Sequence, residues 1–94
     1  MIQDIAGIII WTEDMGRLVS FYRDTLELEP HSIHPDFVAF RFGETRLSIG
    51  KHSKIVGDAK DPYRIMVNLE TNDIKASHHR LRGRGVPFLR SPDQ

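Results

Sequence analysis

The stretch Ile5-Ala6-Gly7-Ile8-Ile9-Ile10-Trp11-Thr12-Glu13-Asp14-Met15 changes character at Thr12. Ile5 to Thr12 is β-branched and aromatic and reads as a buried strand. Asp14 sits where an N-cap belongs, its carboxylate placed to accept the free amide protons of a first helical turn. Met15, Leu18, Val19, Tyr22 and Leu26 follow at helical spacing and make one apolar stripe. The junction then returns: Thr71-Asn72-Asp73-Ile74 repeats Thr12-Glu13-Asp14-Met15 as threonine, variable residue, aspartate, apolar residue. Tyr63 to Thr71 reads as the strand before it. Asp73 caps a helix from Ile74 to about Arg84, which Gly85 terminates. Val86 to Leu89 begins one more strand. Two strand–helix–strand units in so short a chain point to an internal duplication.

Between the two junctions lie further strands. Leu28 to Ile33 is a weak candidate, interrupted by Pro30. Phe37 to Phe42 and Thr45 to Ile49 are strong ones, joined by Gly43-Glu44, a two-residue loop with glycine first as a type II′ turn prefers. That loop pairs Phe42 with Thr45, Arg41 with Arg46 and Ala39 with Ser48. His52 to Pro62 is a polar connection with Gly57, Asp58 and Asp61-Pro62 as turn formers.

The bulk properties exclude several classes. The chain has 94 residues, room for one domain, and 13 basic residues balance 13 acidic ones. No basic excess suggests a nucleic-acid partner. The longest apolar run, Ile5 to Trp11, is too short to span a bilayer, and no secretory leader pattern opens the sequence. Cysteine is absent, so disulfides and thiolate metal sites are ruled out. A cytoplasmic location, with no membrane partner, is the matching expectation.

The run Thr12-Glu13-Asp14-Met15-Gly16-Arg17-Leu18-Val19-Ser20-Phe21-Tyr22-Arg23-Asp24-Thr25-Leu26-Glu27-Leu28 resembles the vicinal oxygen chelate superfamily, which includes glyoxalase I, bleomycin-resistance proteins and extradiol dioxygenases. It matches the strand-end Asp, the helix carrying Phe-Tyr and a Leu-Gly-Leu exit, with Glu27 in place of the usual Gly. Asn72-Asp73-Ile74 through Leu81 to Gly85-Val86-Pro87-Phe88 resembles the second module of the same family. The resemblance implies an α+β fold in which two βαβββ-type modules form a cup-shaped mixed sheet, with helices outside and a ligand cavity inside. One domain over 1–94 is expected, with module one at about 1–52 and module two at about 63–94. The second module is incomplete on this reading, its last two strands missing.

Alternation assigns faces. Ile8, Ile10, Val38, Phe40, Phe42, Leu47 and Ile49 point to the helix. Gly7, Ile9, Trp11, Phe37, Ala39, Arg41, Arg46, Ser48 and Gly50 then face the cup, and Met66, Asn68 and Glu70 correspond to Gly7, Ile9 and Trp11. The resemblance places family metal ligands on Gly7, near Ser48 and on Met66, with a fourth beyond Gln94. None of the three supplies an imidazole or carboxylate, so no metal and no cofactor is expected.

The candidate ligand pocket is therefore Ile9, Trp11, Arg41, Arg46, Ser48, Met66, Asn68 and Glu70. Trp11 is placed to stack on a planar ligand, and Arg41 with Arg46 to pair with a carboxylate or phosphate. Asn68 and Glu70 offer polar contacts or a general base. In the alternative, Trp11 fills the sheet, the arginines are solvated at its end, and Asn68 and Glu70 make structural hydrogen bonds. His31-x-x-His34-x-Asp36 carries ligand-type residues in what reads as a surface loop. His78 lies on the apolar stripe of the second helix and reads as a half-buried packing residue. Lys75, Arg80, Arg82, Arg84 and Arg90 make the C-terminal third basic, which a solvated helix face explains.

Together these features suggest a metal-free small-molecule binding protein of unknown ligand, with a homodimer as the expected assembly. The alternatives are a metal-dependent lyase, isomerase or dioxygenase of the same superfamily, or an interaction module that pairs through open sheet edges.

Overall fold

A computed structural model describes residues 1–92. It contains two compact units, one spanning Met1–Asp58 and one beginning at Ala59. The first unit runs β1 (Gly7–Thr12), α1 (Met15–Ser20), β2 (Pro30–His34), β3 (Phe37–Phe42) and β4 (Thr45–Lys51). These strands form one mixed sheet in the order β1-β4-β3-β2, with β1 parallel to β4 and the other pairs antiparallel. The second unit contains α2 (Ile74–Gly83). The protein is thus a small α+β fold, and its first unit has the βαβββ order.

The hairpin matches the sequence reading in detail. Phe42 faces Thr45, Arg41 faces Arg46 and Ala39 faces Ser48. Gly43 takes a positive φ of 56° and Glu44 does not, as a type II′ turn requires. The core forms on the helix side of the sheet. Val19, Val38, Phe40 and Ile49 are buried, and Ile10, Met15, Leu18, Tyr22, Leu28 and Phe42 pack around them. Tyr22 lies against Phe40 with ring centroids 5.9 Å apart, and its burial pushes the phenol above its ordinary pKa. Leu47 is buried as well.

Both helix starts are built the same way. Asp14 N–H donates to Thr12 Oγ1 at 3.0 Å, and Asp14 Oδ1 accepts from Arg17 N–H at 3.1 Å. In the second unit Asp73 N–H donates to Thr71 Oγ1 at 3.4 Å, and Asp73 Oδ1 accepts from Ala76 N–H at 3.0 Å. The first backbone bonds also match: Leu18 N–H to the Asp14 carbonyl, and Ser77 N–H to the Asp73 carbonyl. The repeat read from four residues is therefore a repeated set of hydrogen bonds.

The helix ends differ by one residue, and a π turn accounts for it. After Ser20 the helix widens over Phe21–Thr25, and Leu26 N–H reaches the Phe21 carbonyl at 2.9 Å. Such a turn absorbs one extra residue. Glu27 then takes the left-handed conformation at φ 60°, and Leu28 N–H closes onto the Tyr22 carbonyl at 3.1 Å. In α2 the same exit needs no extra residue. Gly85 is left-handed at φ 86°, with Gly85 N–H on the Arg82 carbonyl and Val86 N–H on the Leu81 carbonyl, a Schellman closure. Glu27 thus does what glycine does at Gly85, at a steric cost.

Four expectations are corrected. Tyr63 to Thr71 and Val86 to Leu89 are not strands, so among the described residues the second unit is not a βαβββ-type module. A strand needs a ladder; the backbone here makes only turn bonds, such as Arg64 N–H to the Asp61 carbonyl, and β propensity alone does not hold it extended. The first strand is not buried: Ile8 and Ile9 are exposed because β1 is the edge of the sheet, with a ladder neighbour on one side only. His31 and His34 lie in β2, not in a loop. Pro30 is tolerated as its first residue, and a bulge between Pro30 and Ser32 absorbs His31. His78 behaves as read, half-buried with its ring 4.4 Å from that of Phe88.

Two substitutions test these local devices by urea unfolding. Asp14→Ala, which removes the cap, should cost about 1 kcal/mol. Glu27→Gly should stabilise by about 0.5–1 kcal/mol, because glycine relieves the left-handed strain at some entropic cost.

Candidate functional site

The sheet face away from the helix is organised in rungs across β1, β4 and β3. Gly7, Arg46 and Arg41 form the first rung, Ile9, Ser48 and Ala39 the second, and Trp11, Gly50 and Phe37 the third. Five of the eight candidate pocket residues, Ile9, Trp11, Arg41, Arg46 and Ser48, therefore share one face. Met66, Asn68 and Glu70 belong to the second unit, where they are exposed on an irregular segment. Alternation cannot assign them a face without a strand, so that part of the expected pocket is not supported.

The third rung is aromatic and depends on a glycine. A Cβ on Gly50 would stand 2.5 Å from the Trp11 ring, closer than atoms tolerate, and a tight 3.1 Å from Phe37. The indole therefore lies directly across the β4 backbone, which is what a glycine inside a strand commonly marks. Phe37 flanks it with centroids 6.4 Å apart, and His52 meets it edge-on at 5.3 Å. Lys54 N–H donates to His52 Nδ1 at 3.1 Å, so the neutral ring carries its proton on Nε2. Trp11 still leaves 42% of its surface open. His52 was absent from the sequence-derived site; continuing the alternation of β4 two residues past Gly50 would have found it.

The first rung is cationic. Arg46 N–H donates to the Ala6 carbonyl at 3.2 Å, toward β1. The Arg41–Arg46 pair is consequently a non-hydrogen-bonded one, the kind that brings side chains closest. Arg41 Nε donates to the Gly43 carbonyl at 3.1 Å, and both residues are exposed. Neither guanidinium has a carboxylate partner among the described residues. The middle rung is small and buried, with Ser48 at 5% and Ala39 at 4% exposure.

These residues do not suit a divalent metal ion. The positions the family resemblance gives to ligands are Gly7, near Ser48 and Met66, and these three residues offer no imidazole or carboxylate. Gly7 shares its rung with two guanidiniums, whose charge opposes a cation there. Among the described residues no three His, Cys, Asp or Glu side chains gather into a metal-binding group. No described helix is long and apolar enough to cross a membrane.

A βαβββ sheet with a helix packed on one face defines a small α+β module. The chain belongs to the Glyoxalase/Bleomycin resistance protein/Dioxygenase superfamily, whose family model matches residues 4–94. A glyoxalase/bleomycin resistance protein/dioxygenase from Nocardioides is similar in structure, at 24% identity and TM-score 0.75, over 98% of this chain and 68% of that one. Lactoylglutathione lyase from Agrobacterium tumefaciens follows at 19% identity and TM-score 0.66, over 93% and 74%. A bleomycin resistance determinant encoded on the transposon Tn5 gives 16% and 0.62, over 95% and 71%. At these identities the likeness is one of fold. A comparison with curated proteins gives no match.

Gly50→Ala tests the aromatic rung. It should expel the indole, shift the emission of the chain's single tryptophan to the red, and cost about 1–3 kcal/mol in unfolding free energy.

Proposed function

We propose that this chain is a metal-free small-molecule binding protein of its superfamily, using the β1-β4-β3 face. The observation that carries the proposal is the composition of that face. That face carries an exposed tryptophan seated on Gly50 and two arginines without acidic partners among the described residues, and the ligand positions Gly7 and Ser48 on it offer no imidazole or carboxylate. Trp11 offers a planar surface for stacking, and Ile9 apolar contact.

The test has two parts. Protein purified without chelator should contain no stoichiometric divalent metal by plasma mass spectrometry. A thermal-shift screen against aromatic and anionic metabolites should find members that raise Tm by several degrees, since a ligand at about 100 Kd adds about 2.7 kcal/mol. A bound divalent ion restoring lyase, isomerase or dioxygenase activity would overturn the proposal. So would a screen in which no member stabilises the protein.

A second reading, self-association, has its own support. Among the described residues β1 ends the sheet with one unpaired edge, and Tyr63, Ile65, Met66, Val67 and Leu69 are exposed in the second unit. Sedimentation velocity should then show a homodimer that dissociates on dilution; a monomer at every concentration rejects this reading.

A further inference from the structure

We infer that His52 is a proton-operated latch: neutral, it closes the turn that leaves β4, and protonated, it releases that turn and sets a positive charge beside Trp11. The inference concerns control of the face and needs no ligand, so it stands apart from the binding reading above. β4 ends at Lys51, and the chain turns at once. Ile55 N–H donates to the His52 carbonyl at 3.0 Å, and Lys54 N–H donates to His52 Nδ1 at 3.1 Å. One residue therefore accepts two amide protons of its own turn, the second through its side chain, as asparagine and aspartate do in an Asx turn. An imidazole nitrogen accepts only while the ring is neutral; in the imidazolium both nitrogens are donors. With the neutral ring's proton on Nε2, an added proton goes to Nδ1, the atom that holds Lys54. Two donors then face each other and the contact is lost. Histidine is the side chain that makes this change between about pH 8 and pH 5.

The same half-buried ring meets Trp11 edge-on, with centroids 5.3 Å apart. That contact uses no lone pair of the imidazole, so it survives protonation. The charge then joins Arg41 and Arg46 on one sheet face. Other charged groups surround the latch without engaging it. Lys51 and Lys54 flank His52 in the chain. Glu13 follows Thr12, which pairs with Lys51, and the Asp36 carbonyl accepts from Lys51 N–H at 3.1 Å. Both carboxylates are exposed, and neither is ion-paired to His52. The contacts that register the proton are thus the Lys54 amide on one side and the indole on the other.

The experiment takes the chain from about pH 8 to pH 5 and follows two signals: the emission of Trp11, the only tryptophan, and NMR of the His52 ring nitrogens with the Lys54 amide. At the alkaline end the ring should carry its proton on Nε2. As the pH falls, emission should drop in a one-proton step, because a protonated imidazole in contact with an indole quenches it. The Lys54 amide proton should move upfield with the same midpoint as its bond to Nδ1 is lost. His52→Asn supplies an oxygen that accepts from the amide two residues on without titrating. It should abolish the emission step and hold the Lys54 amide in place, whereas His34→Gln should leave both signals as in the parent. Level emission across the range, or a step that survives in His52→Asn, overturns the inference. So does a neutral ring protonated on Nδ1, or a Lys54 amide indifferent to the step. Each of these outcomes leaves small-molecule binding to be decided by the ligand screen.

Discussion

The turn at Gly43-Glu44 is the constraint on which the rest of the sheet depends. β4 is the one strand that pairs with both β1 and β3, so its register fixes every rung. A two-residue loop permits one register, and it closes because Gly43 accepts a positive φ that other residues resist. A slip by a single residue would send Phe40 and Ile49 to the open face and bring Arg41 and Arg46 into the core. The burial of Phe40 and Ile49 and the exposure of the two arginines are therefore two consequences of one turn.

Local chemistry made much of this legible. Thr12 and Asp14, and Thr71 and Asp73, announce their helix starts because each acts on backbone amides within three residues of itself. The hairpin register was readable for the same reason. The π turn was not, since no single residue in Phe21–Thr25 signals it; its trace is that Glu27 and Gly85 sit one place apart when the two units are superposed on their caps. The extra residue has to go somewhere, and the helix takes it up before Glu27 reverses the chain.

What the residues could not convey was pairing at a distance. Tyr63 to Thr71 has the composition of a strand, yet a strand is a relation between two segments, and among the described residues no ladder forms there. Ile8 and Ile9 failed in the milder way of an edge strand: their β propensity was realised, but with one neighbour they stay exposed. The candidate site divides along the same line. Ile9, Trp11, Arg41, Arg46 and Ser48 were placed by alternation and by the hairpin, both short-range. Met66, Asn68 and Glu70 were placed by analogy between the two units, and that analogy holds at the cap but not along the strand before it.

The face that results has a consistent electrostatic character. A divalent ion would require negative or neutral nitrogen and oxygen donors near Gly7 and Ser48, and the sheet instead brings two guanidiniums to Gly7's own rung. At the other end the strand has no side chain at Gly50, and the Trp11 ring occupies the space a Cβ would need. The two departures are coupled through β4, because Arg46, Ser48 and Gly50 are alternate residues of one strand. One strand therefore sets both the charge at one end of the face and the aromatic contact at the other.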